Sequence, residues 1–260
     1  MGRVDAIHEA AARGFELAPV SYEAGRPPYP QPAVDRLVEE LGIGPGHRVL
    51  DLAAGTGKLT RLLVGAGAEV VAVEPVAAMR AALSSSLPQV EALDGTAESI
   101  PLPAASVDAV AVAQAFHWFD GDAALAEIHR VLRPGRRLGL IWNIKDESVD
   151  WIEGLGGIME SYRGDAPRVA SGAWKEAFDR TTLFSPLQRA RFSFVHEADA
   201  DTVVARVTSV SFIAALPPAA YAAVVARVRH LLVTHPDTRG RSTFGLPYRT
   251  GVYWCDRLAG

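Results

Sequence analysis

Two short stretches concentrate the side chains able to do chemistry. In Val49–Thr60, VLDLAAGTGKLT, a carboxylate (Asp51) precedes Gly55 and Gly57 at the end of an apolar run. In Gln114–Asp120, QAFHWFD, a carboxamide, an imidazole and three aromatic rings fall within seven residues, directly behind the apolar Val107–Ala113. His117 has the pKa of a base for neutral pH, and it reads equally as a hydrogen-bonding scaffold residue. Phe116, Trp118 and Phe119 read as pocket wall or as core packing. No HExxH, H-x-x-x-H or His/carboxylate grouping of metal-ligand spacing occurs, so no metal is expected.

The glycine stretch reads as strand, turn, helix. Such a turn lets backbone approach a ligand, and the helix N-terminus favours negative charge. A phosphate-binding Walker loop is a poor match: Leu59 replaces Ser/Thr after Gly57-Lys58, and Leu52 stands where the first glycine belongs. A dinucleotide fingerprint has its first two glycines in Gly55 and Gly57, but Thr60 at the third. Asp51 also opposes it, because a carboxylate beside the loop repels a pyrophosphate. A cofactor with an ammonium-bearing amino-acid end turns Asp51 into an asset. Further on, Glu74 ends a second strand 23 residues after Asp51, where an acid reaches a ribose diol. It also reads as a carboxylate that starts a helix.

As a set, these blocks resemble the class I S-adenosylmethionine-dependent methyltransferases, of the small-molecule, type 11-like kind that includes trans-aconitate and ubiquinone-biosynthesis enzymes. Asp51–Gly57, DLAAGTG, is similar to the family's E/D-x-G-x-G-x-G, with Ala53 in place of the first glycine. Gly95–Val110 resembles its next block, with Thr96 where an aspartate usually meets the adenine amino group. His129–Leu140 is similar to the helix–turn–strand that follows. The resemblance covers about residues 20–145. It implies S-adenosyl-L-methionine as cofactor and S-adenosyl-L-homocysteine as product. The cofactor contacts it implies are Asp51, Ala53, Ala54, Gly55, Thr56, Gly57, Glu74, Pro75, Met79, Thr96, Ala97, Glu98, Gln114 and Ala115. Tyr22 and Arg26, in SYEAGRPPYP, join them as a second wall, Arg26 facing the cofactor carboxylate; a surface arginine beside a proline turn is the plainer reading.

The elements that must position these residues alternate. Strands 47–53, 68–74, 89–93, 107–113 and 136–143 are separated by helices at 57–67, 75–86 and 121–135, after an opening helix from Pro32. Continuous Val/Leu/Ile/Ala strands alternating with helices indicate a parallel sheet covered on both faces. The expected fold is therefore α/β. The resemblance makes it a Rossmann-like, doubly wound, seven-stranded and mainly parallel sheet with an inserted helical cap. A single domain, 1–260, is expected: a cofactor core in 1–145, a cap in 146–184, and strands and helices in 185–260 that complete the sheet.

Composition narrows the partners. The chain has 260 residues, 49% hydrophobic and 22% charged, with a net charge of −4. Nucleic acid is not an expected partner. A lone Cys255 excludes an intrachain disulfide. Without a signal-peptide core or a membrane-length apolar run, a cytoplasmic protein with no membrane attachment is expected. Oligomeric state is not legible. The acceptor is expected to be a small molecule. Residues 201–260 carry seven arginines against three aspartates. This suggests an acidic acceptor met by Arg249, with Arg191 or Arg241 assisting; a solvated face is the plainer reading. Trp118, Trp151 and Trp174 are candidate acceptor contacts and read equally as core. His117 is the candidate catalytic base. Two rival functions stay open: a non-catalytic S-adenosylmethionine-binding protein, or a different chemistry on the same cofactor fold.

Overall fold

A computed structural model describes residues 25–259; Tyr22 lies outside them. Contacts divide the described chain into two compact units, one of residues 29–143, 167–192 and 250–259, the other of 25–28, 144–166 and 193–249. The first holds the alternation seen in the sequence: α1 (Gln31–Leu41), β1 (Arg48–Leu52), α2 (Lys58–Gly65), β2 (Glu69–Val73), α3 (Ala77–Ser86), β3 (Glu91–Leu93), β4 (Val107–Ala113), α4 (Gly121–Val131) and β5 (Leu132–Lys145). Then come α5 (Asp150–Glu160), α6 (Glu176–Arg180), β6 (Gln188–Ala198), α7 (Ala200–Thr208), α8 (Ser211–Ala214), α9 (Pro218–Thr234) and β7 (Phe244–Asp256). Among the described residues no helix is long and apolar enough to cross a membrane.

The sheet has seven strands in the order β3-β2-β1-β4-β5-β7-β6. It is mixed and mostly parallel: β1 pairs in parallel with β2 and β4, β2 with β3, and β4 with β5. The apolar runs explain this. Leu50 lies between Val71 and Val110, and all three are buried. Strands buried on both faces have no polar side to offer water. Helix α1 lays Ala33, Val34, Leu37 and Leu41 on the sheet. It comes so close at Gly139 that a Cβ there would stand 2.7 Å from Leu37 Cδ1. Strand order runs one way from β1 and the other way from β4. That reversal opens the crevice beyond the carboxyl ends of these two strands, where ligands bind in such sheets.

Two helix limits differ from the sequence expectation. Helix α4 ends at Val131 rather than at Pro134-Gly135, and Leu132 is already extended (φ −67°, ψ 139°). Pro134 disfavours a helical Arg133, and the freed chain pairs Leu132 with Val107. Helix α3 begins at Ala77, not at Pro75, because Val76 is extended (φ −81°, ψ 111°) and its N–H donates to Glu74 Oε1 at 2.9 Å. In the second unit, α7 and α8 are separated by the extended Val210. On α9 the buried stripe is Val224, Val228 and Leu232, while Tyr221 is exposed.

Helix α4 also fixes the chain that follows β3. Arg130 donates to the carbonyls of Leu102 (2.7 Å) and Ile100 (2.8 Å), and the Ile100 N–H donates to Glu127 Oε2 at 2.9 Å. Arg130 and Glu127 also pair with each other, at 2.7 Å. This clamp supplies backbone partners to a segment that has no sheet ladder of its own. Arg130→Ala is expected to cost about 1–3 kcal/mol in chemical denaturation and to speed amide exchange between Thr96 and Pro103 more than in β4.

Candidate functional site

The loop after β1 is built on left-handed backbone. Ala53 has φ 57°, Gly55 φ 58° and Gly57 φ 87°. Glycine adopts this conformation freely, whereas an alanine there costs about 1–2 kcal/mol, so Ala53 is held by its surroundings. The Ala54 N–H donates to the Val73 carbonyl at 3.2 Å, tying the loop to β2. A Cβ at Gly57 would press to 3.0 Å from Leu83 Cγ of α3, on a backbone whose φ of 87° strains any side chain.

Two buried acids lie under this loop. Asp51 is fully buried; Thr60 Oγ1 of α2 donates to its Oδ2 at 2.6 Å, and its Oδ1 has no hydrogen-bond partner among the described residues. Burial pushes its pKa up to about 7, against the Thr60 hydroxyl bond and helped by the neighbouring Glu74 charge. Glu74 is also buried. Its Oε2 accepts the Gly55 N–H at 2.8 Å and its Oε1 the Val76 N–H at 2.9 Å. Burial raises its pKa, while the two N–H donors and the charge of Arg80 oppose the rise. Arg80 donates to the Glu74 carbonyl at 2.6 Å and pairs with Asp94 at 3.1 Å, so it joins the chain ends after β2 and β3. Sequence reasoning missed Arg80; its only signal is its place six residues after Glu74, on the first turn of α3.

Most of the residues implicated by the resemblance fall along these strand ends. Met79 is buried, with its sulfur 3.8 Å from where a Gly55 Cβ would lie. Thr56 is buried, Lys58 half-buried and Pro75 exposed. Thr96 bridges to Ser99, Ala97 is buried, and Glu98 Oε1 accepts the Asp120 N–H at 2.9 Å, at the start of α4. After β4, Gln114 takes a left-handed turn (φ 59°) and its N–H donates to Ile141 at 3.0 Å; Ala115 is half-buried.

The QAFHWFD cluster divides. Residues Phe116–Trp118 form a single 3₁₀ turn. Phe116 is buried against Phe178 (centroids 4.9 Å) and Trp174 (6.3 Å), so its ring is core. His117, Trp118 and Phe119 are half-buried, with His117 5.3 Å from Trp118. Trp174 is buried against Trp142 (4.4 Å) and Tyr253 (5.2 Å). Trp151 belongs to the apolar core of the second unit, with Phe244 at 6.1 Å. Among the described residues no group of three His, Cys, Asp or Glu is placed to hold a metal.

The candidate basic residues of the second unit are engaged locally. Arg249 is exposed and pairs with Asp146 at 2.8 Å. Arg26 donates to the Ser209 carbonyl at 3.5 Å, at the C-terminal end of α7 where a cation is favoured. Arg191 and Arg241 are exposed. Lys145, at the end of β5, was not singled out by the sequence. Desolvation, with Arg206, Arg163 and Arg26 nearby, pushes its pKa down to about 7 although Glu147 acts the other way.

Comparison with known proteins agrees with this geometry. Residues 50–140 match a family model described as a methyltransferase domain. An uncharacterised methyltransferase of Mycobacterium tuberculosis (strain ATCC 25618 / H37Rv) is 44% identical over 239 residues, covering 91% of this chain and 92% of that one. A solved structure of a candidate type II methyltransferase from Anaeromyxobacter dehalogenans superposes with a TM-score of 0.66 at 25% identity, over 89% of this chain and 97% of the other. A phosphoethanolamine N-methyltransferase of Haemonchus contortus, solved with phosphomonomethylethanolamine and S-adenosylhomocysteine, shares the fold at a TM-score of 0.54 and 15% identity, over 89% of this chain and 54% of the other.

The buried Asp51 has a consequence for stability. Its raised pKa contributes stability that is complete below the unfolded value near 3.8 and is lost as pH rises through about 7. Asp51→Asn, which keeps an acceptor for Thr60, is expected to flatten the fall in melting temperature between pH 4 and 7 and to leave the variant at least as stable as the parent at pH 8. Thermal melts across that range check it.

Proposed function

Because the chain belongs to the methyltransferase family, we propose that it transfers a methyl group from S-adenosylmethionine to a small-molecule acceptor bearing an acidic group. The observation that carries the cofactor reading is the pair of buried carboxylates under a glycine turn. A pyrophosphate would add negative charge beside two carboxyl groups whose burial already disfavours charge. A ribose diol and an ammonium-bearing amino-acid end meet them as acceptors, and Asp51 Oδ1 is a buried acceptor with no partner among the described residues. The residues therefore fit this cofactor.

In this reading Glu74 accepts from the ribose hydroxyls, since each carboxylate oxygen keeps a second lone pair beyond its backbone bond. Asp51 favours the cationic end by charge. The turn of Ala53, Ala54, Gly55, Thr56 and Gly57 brings backbone close, with Met79 packed below it and Pro75 at the exposed lip. Thr96, Ala97 and Glu98, which precede the Ile100–Leu102 stretch that Arg130 clamps, offer backbone to the adenine, where Thr96 stands for the family's aspartate. Gln114 and Ala115 form a shelf for the methionine part. When bound, the cofactor supplies a methyl group already activated by the sulfonium, so the protein's task is to position and desolvate. Trp118 and Phe119 are half-buried beside that shelf and wall it. A carboxylate acceptor brings no proton, so transfer to it needs no base; His117 then serves to hold the turn. The acidic acceptor is consistent with the arginine excess of residues 201–260. A cytoplasmic setting suits the single, buried Cys255.

Glu74→Gln tests the seat. The amide keeps the size of the side chain but loses the charge. S-adenosylhomocysteine affinity should fall about 10- to 100-fold, the worth of a charged hydrogen bond, and the melting temperature should fall as well, because one of the two backbone N–H donors loses its acceptor. Titration calorimetry measures this, and a labelled methyl transfer assay over a panel of carboxylic acids measures turnover. Unchanged affinity would remove Glu74 from the cofactor site. His117→Ala is expected to leave turnover intact on a carboxylate acceptor; a loss of kcat with unaltered cofactor affinity would make His117 a catalytic residue.

A further inference from the structure

Within the second unit, three arginines bear on one desolvated lysine. Arg206 of α7 is half-buried. Its Nε donates to the Tyr248 hydroxyl at 3.3 Å, and its Nη1 is buried with no hydrogen-bond partner among the described residues. Tyr248 is buried, and having accepted from Arg206 it keeps its own proton to donate. Lys145 feels the charge of Arg206, and its Nζ lies 3.9 Å from the sulfur of Met159. Arg163 lies over the Phe212 ring at 5.0 Å. Gly25 rests so tightly on α7 that a Cβ would stand 2.5 Å from the Ala205 carbonyl oxygen, which holds Arg26 to the same helix.

The charges acting on Lys145 are Arg206, Arg163 and Arg26 on one side and Glu147 on the other. The remaining acids nearby are engaged: Glu160 pairs with Arg163 at 2.8 Å and Asp146 with Arg249 at 2.8 Å. Crowding cations in a desolvated place destabilises the fold unless a counter-charge offsets it. A surface that served only solubility would spread them.

We infer that Arg206, Tyr248 and Lys145 form an anion-binding site in the second unit for a compact oxyanion, a carboxylate or a phosphate group, on a small molecule. Arg206 offers its buried N–H, Tyr248 its hydroxyl proton, and Lys145 a charge that it completes by taking up a proton. Arg249, the residue the sequence suggested for this task, is already neutralised by Asp146. Binding itself does not depend on the methyltransferase reading; identifying the anion as part of the acceptor rests on it.

The proton uptake gives a signature. Lys145 is neutral above about pH 7 and charged below it. Oxyanion affinity should be greatest below pH 7 and fall by up to about tenfold per unit above it. The experiment is titration calorimetry of the full chain with acetate, succinate and inorganic phosphate at pH 6 and pH 8.5, with S-adenosylhomocysteine titrated in parallel. Saturable binding at pH 6 that weakens at pH 8.5 is expected, and the tighter arm tells carboxylate from phosphate. Arg206→Met should weaken it about 10- to 100-fold, with S-adenosylhomocysteine affinity unchanged. Lys145→Met should abolish the pH dependence, and it keeps the inference testable if the arginine variant does not fold. No saturable binding of any of the three anions, or binding that neither substitution alters, overturns it. Loss of S-adenosylhomocysteine binding by the parent protein would instead overturn the cofactor reading and leave the anion result standing.

Discussion

The site rests on one carboxylate that bonds in two directions. Glu74 accepts the N–H of Gly55 from the loop after β1 and the N–H of Val76 from its own turn. Strand β2 is thereby joined to the glycine loop at the point where backbone must be exposed to a ligand. The cost is a buried charge, offset by two backbone donors and by Arg80. Asp51 adds a second buried acid, with the Thr60 hydroxyl as its fixed donor. Burial raises the proton affinity of both acids, and the Glu74 charge adds to the rise at Asp51, which makes the seat receptive to a ligand with hydroxyls and a positive charge.

Positioning these groups takes most of the first unit. The parallel ladders set the heights of the strand ends, so the loops after β1, β2 and β4 open on the same side of the sheet. Close packing of α1 on Gly139 and of α3 on Gly57 removes slack beneath the loops. The clamp of Glu127 and Arg130 holds the segment after β3, which has neither helix nor ladder to order it.

Much of this was legible because it follows from local rules. Val107–Ala113 is continuous and apolar, and it forms a strand with those same limits. Asp51, Gly55, Gly57 and Glu74 sit at spacings that only a strand–turn–helix explains. What the sequence hid depended on partners distant in the chain. The end of α4 was set by a strand pairing between Leu132 and Val107, not by the proline-glycine pair alone. The start of α3 was set by the Glu74 carboxylate. Phe116, Trp151 and Trp174 carried no local mark separating core from pocket, and all three are core. Lys145 and Arg206 lie 61 positions apart, on a strand end and a helix, and no periodicity announces that the charge of one acts on the other.

The central claim is that the loop held by Glu74 seats the cofactor. Backbone amide NMR of the protein titrated with S-adenosylhomocysteine tests it most directly. Saturable shifts at Gly55, Gly57 and Val76, with the exposed end of α9 at Val233 and Thr234 unmoved, are predicted. Saturable binding that leaves those three amides unchanged, or no binding at all, would contradict it.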